Sequence, residues 1–207
     1  MNDLIPKSKI PAGKAGYYEV IKFNVSKEEA DSYNLSLLFS FQYWRIIKPG
    51  SYTKLVCPGA LLMSDTPAEV NGHWEMYNNA TGDVLINGLG LGLIARAVLL
   101  KEGVDTVTIN EMNTDVISLV FPYLQQEFGD RVKVNCTDAL YWKPSNGEKF
   151  NTIWHDIWNE ICLDNYEEYK KLMRRYSRWL KDPHWQGCWE YDFLKKERIK
   201  DKNSPWR

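Results

Sequence analysis

The stretch GDVLINGLGLGLIARAV, residues 82–98, sets Gly88, Gly90 and Gly92 at alternate positions where an apolar run meets a helical pattern. Glycine weakens regular structure, so three this close imply a tight turn, a close backbone approach, or a ligand needing both. Acids stand at matching places downstream. Glu111 ends TVTINE, Asp138 follows VNCT, and Asp156 follows TIWH. An acid one strand beyond a glycine loop suits both hydroxyls of a ribose. A neighbouring Asp can accept from an adenine amino group. These types and spacings suit recognition of a nucleoside. Leu93 stands where a dinucleotide fingerprint needs glycine, and no Gly-Lys-Ser/Thr follows, so a pyrophosphate is not implied.

Asp156 has a second use. Beside His155 and between Trp154 and Trp158, it is placed to bind an amine or take its proton, or else to cap a following helix. His155 alternates with it and points toward the core, and at least one of the two tryptophans belongs to packing. Asp65 in MSDTPAE reads most simply as a helix cap, and QGCW, residues 186–189, lies where it could touch an acceptor.

These residues need a sheet to hold them. From residue 82 the chain alternates: strand DVLIN, helix LGLIARAVLLKEG, strand DTVTINE, helix TDVISLVFPYLQQEF, then strands RVKVNCTD and FNTIWHDIW. The helix NYEEYKKLMRRYSRWLK and a fifth strand in GCWEYDFL complete the pattern. Such alternation predicts an α/β fold with a doubly wound, mostly parallel sheet over residues 81–193. Residues 1–80 predict a small β-rich N-terminal subdomain from YYEVIKFNV, FQYWRII, SYTKLVC and ALLMS. A capping box, Ser26 with Glu29, opens its helix, and a further helix follows Asp65-Thr66-Pro67. Residues 194–207 read as a basic, polar, frayed tail.

Composition sets the limits. The 207 residues, 44% hydrophobic with nine Trp and twelve Tyr, bury a sizeable core. No apolar run is long enough to span a membrane, and the N-terminus has no apolar signal region. The four cysteines share no C-x-x-C spacing, which fits reduced thiols, a cytoplasmic location and no metal site. Net charge is −1, but the basic residues gather in the C-terminal segment, which includes Arg174, Arg175 and Arg178. A nucleic-acid partner is the sharp reading of that asymmetry and a solvated helix face the ordinary one. Abundant aromatics permit a homodimer.

VLINGLGLG, VTINEM, CTDAL and TIWHDIW, in this order, resemble the motifs of class I S-adenosylmethionine-dependent methyltransferases. The likeness covers roughly residues 50–190 and is greatest to the spermidine-synthase-like branch, including small phage and bacterial members. It implies a Rossmann-like fold and S-adenosyl-L-methionine as cofactor. Gly88, Leu89, Gly90 and Gly92 would then pass under the methionine part, Glu111 would hold the ribose, and Met112, Asp138 and Ala139 would meet the adenine. Asp156 falls on the catalytic acid of aminopropyltransferases, and His73 falls near a residue beside the methionine chain. Leu89 and Leu91 replace the acid that spermidine synthases carry in the glycine loop, and Ile157 and Trp158 replace a second acid after Asp156. The resemblance therefore implies methyl transfer to a small or exposed acceptor. An aminopropyltransferase using decarboxylated S-adenosylmethionine and a non-catalytic nucleotide-binding or interaction protein are the alternatives, and a nicotinamide oxidoreductase is disfavoured by Leu93.

Overall fold

The computed structural model describes residues 4–159 and 162–202. Four antiparallel strands come first: β1 (Gly13–Ala15), β2 (Tyr18–Val25), β3 (Gly50–Cys57) and β4 (Ala60–Ser64), neighbours in that order. Helix α1 (Lys27–Phe39) joins β2 to β3. Its capping box is formed: the Glu29 amide donates to the Ser26 hydroxyl at 3.1 Å, and the Ser26 amide donates to the Glu29 carboxylate at 2.7 Å. FQYWRII is not extended. It makes a 3-10 turn at Tyr43–Arg45, because its aromatic side chains have no sheet face to cover and stay exposed.

The helix expected after Pro67 is broken at His73 into α2 (Pro67–Gly72) and α3 (Trp74–Asn79). Asp65 does not cap it. Buried at the end of β4, the Asp65 carboxylate accepts from the Thr53 amide at 2.6 Å and the Ser8 amide at 3.0 Å. It braces the N-terminal sheet against the chain that precedes it.

The second sheet contains β5 (Gly82–Asn87), β6 (Val104–Glu111), β7 (Val132–Cys136), β8 (Phe150–His155) and β9 (Leu180–Cys188). Its order is β7-β6-β5-β8-β9 and every pairing is parallel. Val84, Leu85 and Ile86 of β5 and Ile153 and Trp154 of β8 are all buried. Strands covered on both faces read as unbroken apolar runs, not as alternation. The crossovers are α4 (Leu93–Leu99), α5 (Thr114–Phe128) and α6 (Tyr166–Tyr176).

One face of the parallel sheet shares a core with the N-terminal sheet, where Val20, Leu55 and Met63 pack with Ile94, Val98 and Val120. On the other face Leu85 and Ile153 meet Leu172 and Tyr176 of α6. Helix α4 is buried along its whole length, Arg96 included. The guanidinium of Arg96 forms two 2.8 Å hydrogen bonds to Glu127, whose carboxyl is held down at about 2 by Arg96 and, less strongly, by Lys9. Chain order sends β6 and β7 to one side of β5 and β8 and β9 to the other. This makes the carboxyl end of β5 the switch point, where open α/β sheets hold ligands.

Two boundaries differ from the sequence reading. The fifth strand starts at Leu180, not within GCWEYDFL, and α6 stops at Tyr176. The polar Lys181-Asp182-Pro183-His184 run sits on an edge strand, where exposed polar residues and a proline are tolerated. The stretch from 194 is not a frayed tail as far as it is described. Helix α7 (Tyr191–Lys202) seats Leu194 against Tyr169 and Cys188, while residues 203–207 lie outside the described residues.

Candidate functional site

The three glycines answer to three different constraints. Gly88, at φ +101°, brings the loop so close to β8 that a Cβ would stand 2.0 Å from the Asp156 carbonyl oxygen. Gly90, at φ +51°, points toward the Met63 sulfur, which a Cβ would meet at 2.4 Å. Gly92 is the left-handed N-cap of α4, with Val120 and Leu124 packed where a side chain would go. Gly88 and Gly90 line a cavity at the carboxyl ends of the strands, and Gly92 lies off it. Its place in the pattern belongs to the helix start.

That cavity measures about 450 Å³, within the range of small-molecule sites. Its fixed point is Glu111. One carboxylate oxygen accepts from the Leu89 amide of the glycine loop at 3.0 Å and the other from the Asn113 amide at 2.8 Å. A carboxylate has about four acceptor positions, so two remain for a ligand. Leu89, Met112, Asp138 and Ala139 line the same space, Met112 as an exposed residue at the rim. Asp138 also accepts from the Leu140 amide at 2.8 Å, which holds the turn after β7.

Asp156 lies across the cavity from this group, at the end of β8. No described helix begins there, since α6 starts at Tyr166. Burial, and then the neighbouring charge of Glu69, lift the Asp156 carboxyl to about 7. Burial lifts Glu69 to about 7 as well, against the opposing pull of Arg45. The His73 ring is 1% exposed, its Nε2 3.8 Å from an Asp156 oxygen, and burial lowers it to about 4. Neither ring nitrogen of His73 has a hydrogen-bond partner among the described residues.

His155 turns inward instead. Its Nδ1 lies 2.7 Å from the Asn87 amide and its Nε2 2.9 Å from the Gln186 amide. Asn110 and Asn135 extend the run through 2.8 and 2.9 Å bonds, so one polar ladder crosses all five strand ends. Trp154 is a core residue stacked on Trp185, whereas Trp158 lines the cavity and donates to Glu168 at 2.6 Å. From QGCW, only Trp189 reaches the cavity.

Sequence reasoning missed Glu69, Glu168 and the roof formed by Leu55, Leu61 and Met63. Glu69 sits in the first turn of α2, where an acid also complements the helix dipole, and no spacing separates the two roles. The charge balance of the wall is lopsided. Glu69, Glu111, Asp138, Asp156 and Glu168 line it, and among the described residues no Lys, Arg or His does. Nor is any group of three His, Cys, Asp or Glu placed to hold a metal among the described residues. The four cysteines are free thiols, and no described helix is long and apolar enough to cross a membrane.

No family model matches the sequence, and no curated protein matches it. Among solved structures the chain is similar to the CcbJ methyltransferase from Streptomyces caelestis. That match has 16% identity and a TM-score of 0.46, and covers 57% of this chain and 46% of that one. It is also similar to an S-adenosylmethionine-dependent methyltransferase from Clostridium acetobutylicum, at 19% identity and TM-score 0.41, over 55% of this chain and 44% of that one. A third is coclaurine N-methyltransferase bound to N-methylheliamine and SAH, at 19% identity and TM-score 0.46, over 58% and 33%. The matched part spans less than half the length of each of these proteins.

Proposed function

We propose that the cavity binds S-adenosyl-L-methionine and that the protein is a methyltransferase acting on a small or exposed acceptor. The observation that carries this reading is an anchored carboxylate, Glu111, in a wall of five acids with no lining cation among the described residues. A ligand there has ribose-like hydroxyls for Glu111 and a positive charge elsewhere. An adenosyl sulfonium meets both requirements, whereas a dinucleotide would bring a pyrophosphate into negative potential.

In this reading Glu111 holds the ribose, and Met112, Asp138 and Ala139 bound the adenine. The backbone of Gly88, Leu89 and Gly90 underlies the methionine part. The sulfonium supplies an activated methyl group. The chain supplies alignment, exclusion of water by Trp158 and Trp189, and a carboxylate at Asp156 that holds or releases a proton near neutrality.

Glu111→Ala tests the assignment. A carboxylate accepting two hydroxyls makes charge-assisted bonds worth about 1.5–3 kcal/mol each. Calorimetry should therefore show S-adenosylmethionine, S-adenosylhomocysteine and decarboxylated S-adenosylmethionine weakened alike, by roughly tenfold to a few hundredfold. Equal affinity in wild type and variant would remove the ribose assignment.

The acidity of the wall also favours a second reading, aminopropyl transfer of the spermidine-synthase type. Decarboxylated S-adenosylmethionine has no carboxylate for the five acids to repel. Tighter binding of that form than of S-adenosylmethionine would select it.

A further inference from the structure

Proton accounting at the Asp156 end of the cavity leaves a demand that nothing in the wall meets. Glu69 from α2 and Asp156 from the end of β8 face one space, and the charge of Glu69 is felt at Asp156. Glu168 stands in the same wall with one oxygen committed to the Trp158 indole. Among the described residues, the cation that acts on this group is Arg45, which pulls on Glu69 and is not in the wall. His73 offers no charge, since its ring is neutral at working pH, yet it is buried, unpartnered and directed at an Asp156 oxygen from behind. A buried imidazole with both nitrogens unsatisfied carries a desolvation cost. Closing the 3.8 Å gap by under an ångström would turn it into a donor to an ionised Asp156. The site therefore has acceptors for a cation and a second donor waiting for Asp156 to ionise.

We propose that Glu69, Asp156 and the supporting His73 form a subsite for an organic ammonium group, whose apolar body rests against Trp158 and Trp189. Indole faces attract cations and stack on apolar rings, so the wall matches both halves of such a molecule. This names the class of acceptor for the transferase reading above and rests on that reading for the word acceptor. The ammonium subsite itself stands on Glu69, His73 and Asp156. Glu69 and Asp156 touch the ammonium. His73 acts through Asp156 and is a positioning residue.

The two carboxyls titrate near neutrality, so in the empty cavity they hold a proton that an arriving ammonium makes unnecessary. Binding should then expel a proton, a signature that a purely structural role for these residues would not produce. The probe is benzylamine, with benzyl alcohol as the neutral isostere. Each is titrated calorimetrically into the full chain at pH 6.5, in two buffers of different ionisation enthalpy, with and without S-adenosylhomocysteine.

Benzylamine should bind at least about tenfold more tightly than benzyl alcohol and release a substantial fraction of a proton. Glu69→Gln and Asp156→Asn should each erase that preference and the proton release. His73→Phe should keep the preference and weaken binding by a smaller factor. Equal binding of the two probes, failure of both to bind, or binding without proton release would overturn the proposal. Homocysteine-form binding without a preference for the amine overturns the ammonium subsite and leaves the cofactor reading intact. Amine preference without S-adenosylhomocysteine binding sustains the subsite and overturns the cofactor reading.

Discussion

Asp156 is held partly protonated near neutral pH, and that has a thermodynamic consequence apart from any reaction. Its folded carboxyl sits at about 7, above the ordinary value of 3.8, so the folded state keeps a proton that the unfolded chain gives up. The resulting stability is complete below about pH 4 and is lost as pH rises through 7. Asp156→Asn mimics the protonated form. It should stabilise the fold at pH 8 by on the order of 2 kcal/mol, read as a higher melting temperature, and make little difference at pH 4. The figure is discounted from full linkage because the side chain is 20% exposed. An unchanged melting temperature at pH 8 would mean that the carboxylate is already solvated or paired. At this scale the sequence was readable where position carried meaning. Glu111 ends one strand of the parallel sheet and Asp138 and Asp156 come just after two others, and strand ends are where such sheets hold ligands. Glu69 was not readable, because its partner Asp156 is remote in sequence and only the fold brings them together.

Elements obey the sequence where a local rule sets them. Helix α5 runs Thr114–Phe128, as its apolar spacing predicts, and Asn113 caps it by accepting from the amides of Asp115 and Val116. Strand β9 escaped because its first half is polar and its register is set by β8, a tertiary contact. The glycine loop was legible as a loop but not in its reasons. Gly88→Ala tests the tightest of them. A side chain at φ +101° is strained, and its Cβ would overlap the Asp156 carbonyl. The variant should lose about 3 kcal/mol of stability in denaturant titration, or move Asp156 and lose the ligand site. Wild-type stability together with wild-type ligand affinity would contradict the loop geometry. Helix α4 yields a second test. Glu127→Ala strands the Arg96 guanidinium, which is 11% exposed, and should destabilise the fold by on the order of 3 kcal/mol.

At the scale of the whole molecule, the change from antiparallel to parallel architecture near residue 80 does not divide the core. Val20, Leu55 and Met63 of the first sheet belong to the same buried cluster as β5, α4 and α5, and the first sheet also roofs the cavity. Unfolding followed by tryptophan fluorescence and by circular dichroism should therefore give coincident transitions, and two separated transitions would contradict the shared core. This union was invisible in the sequence, where the N-terminal strands alternate like any half-exposed sheet. Charge is segregated as well: the cavity is acidic, while Arg175 of the basic C-terminal region is occupied in donating to the carbonyls of Tyr141 and Trp142 at 2.7 Å each. The central claim is that the cavity selects an adenosyl group carrying positive charge over one carrying phosphates. Parallel calorimetric titrations with S-adenosylmethionine and with NAD measure it directly, because the two share adenosine and differ in charge. Saturable binding of S-adenosylmethionine is expected, with affinity for NAD weaker by at least about a hundredfold. NAD binding as tight as S-adenosylmethionine, or S-adenosylmethionine failing to bind at all, would contradict it.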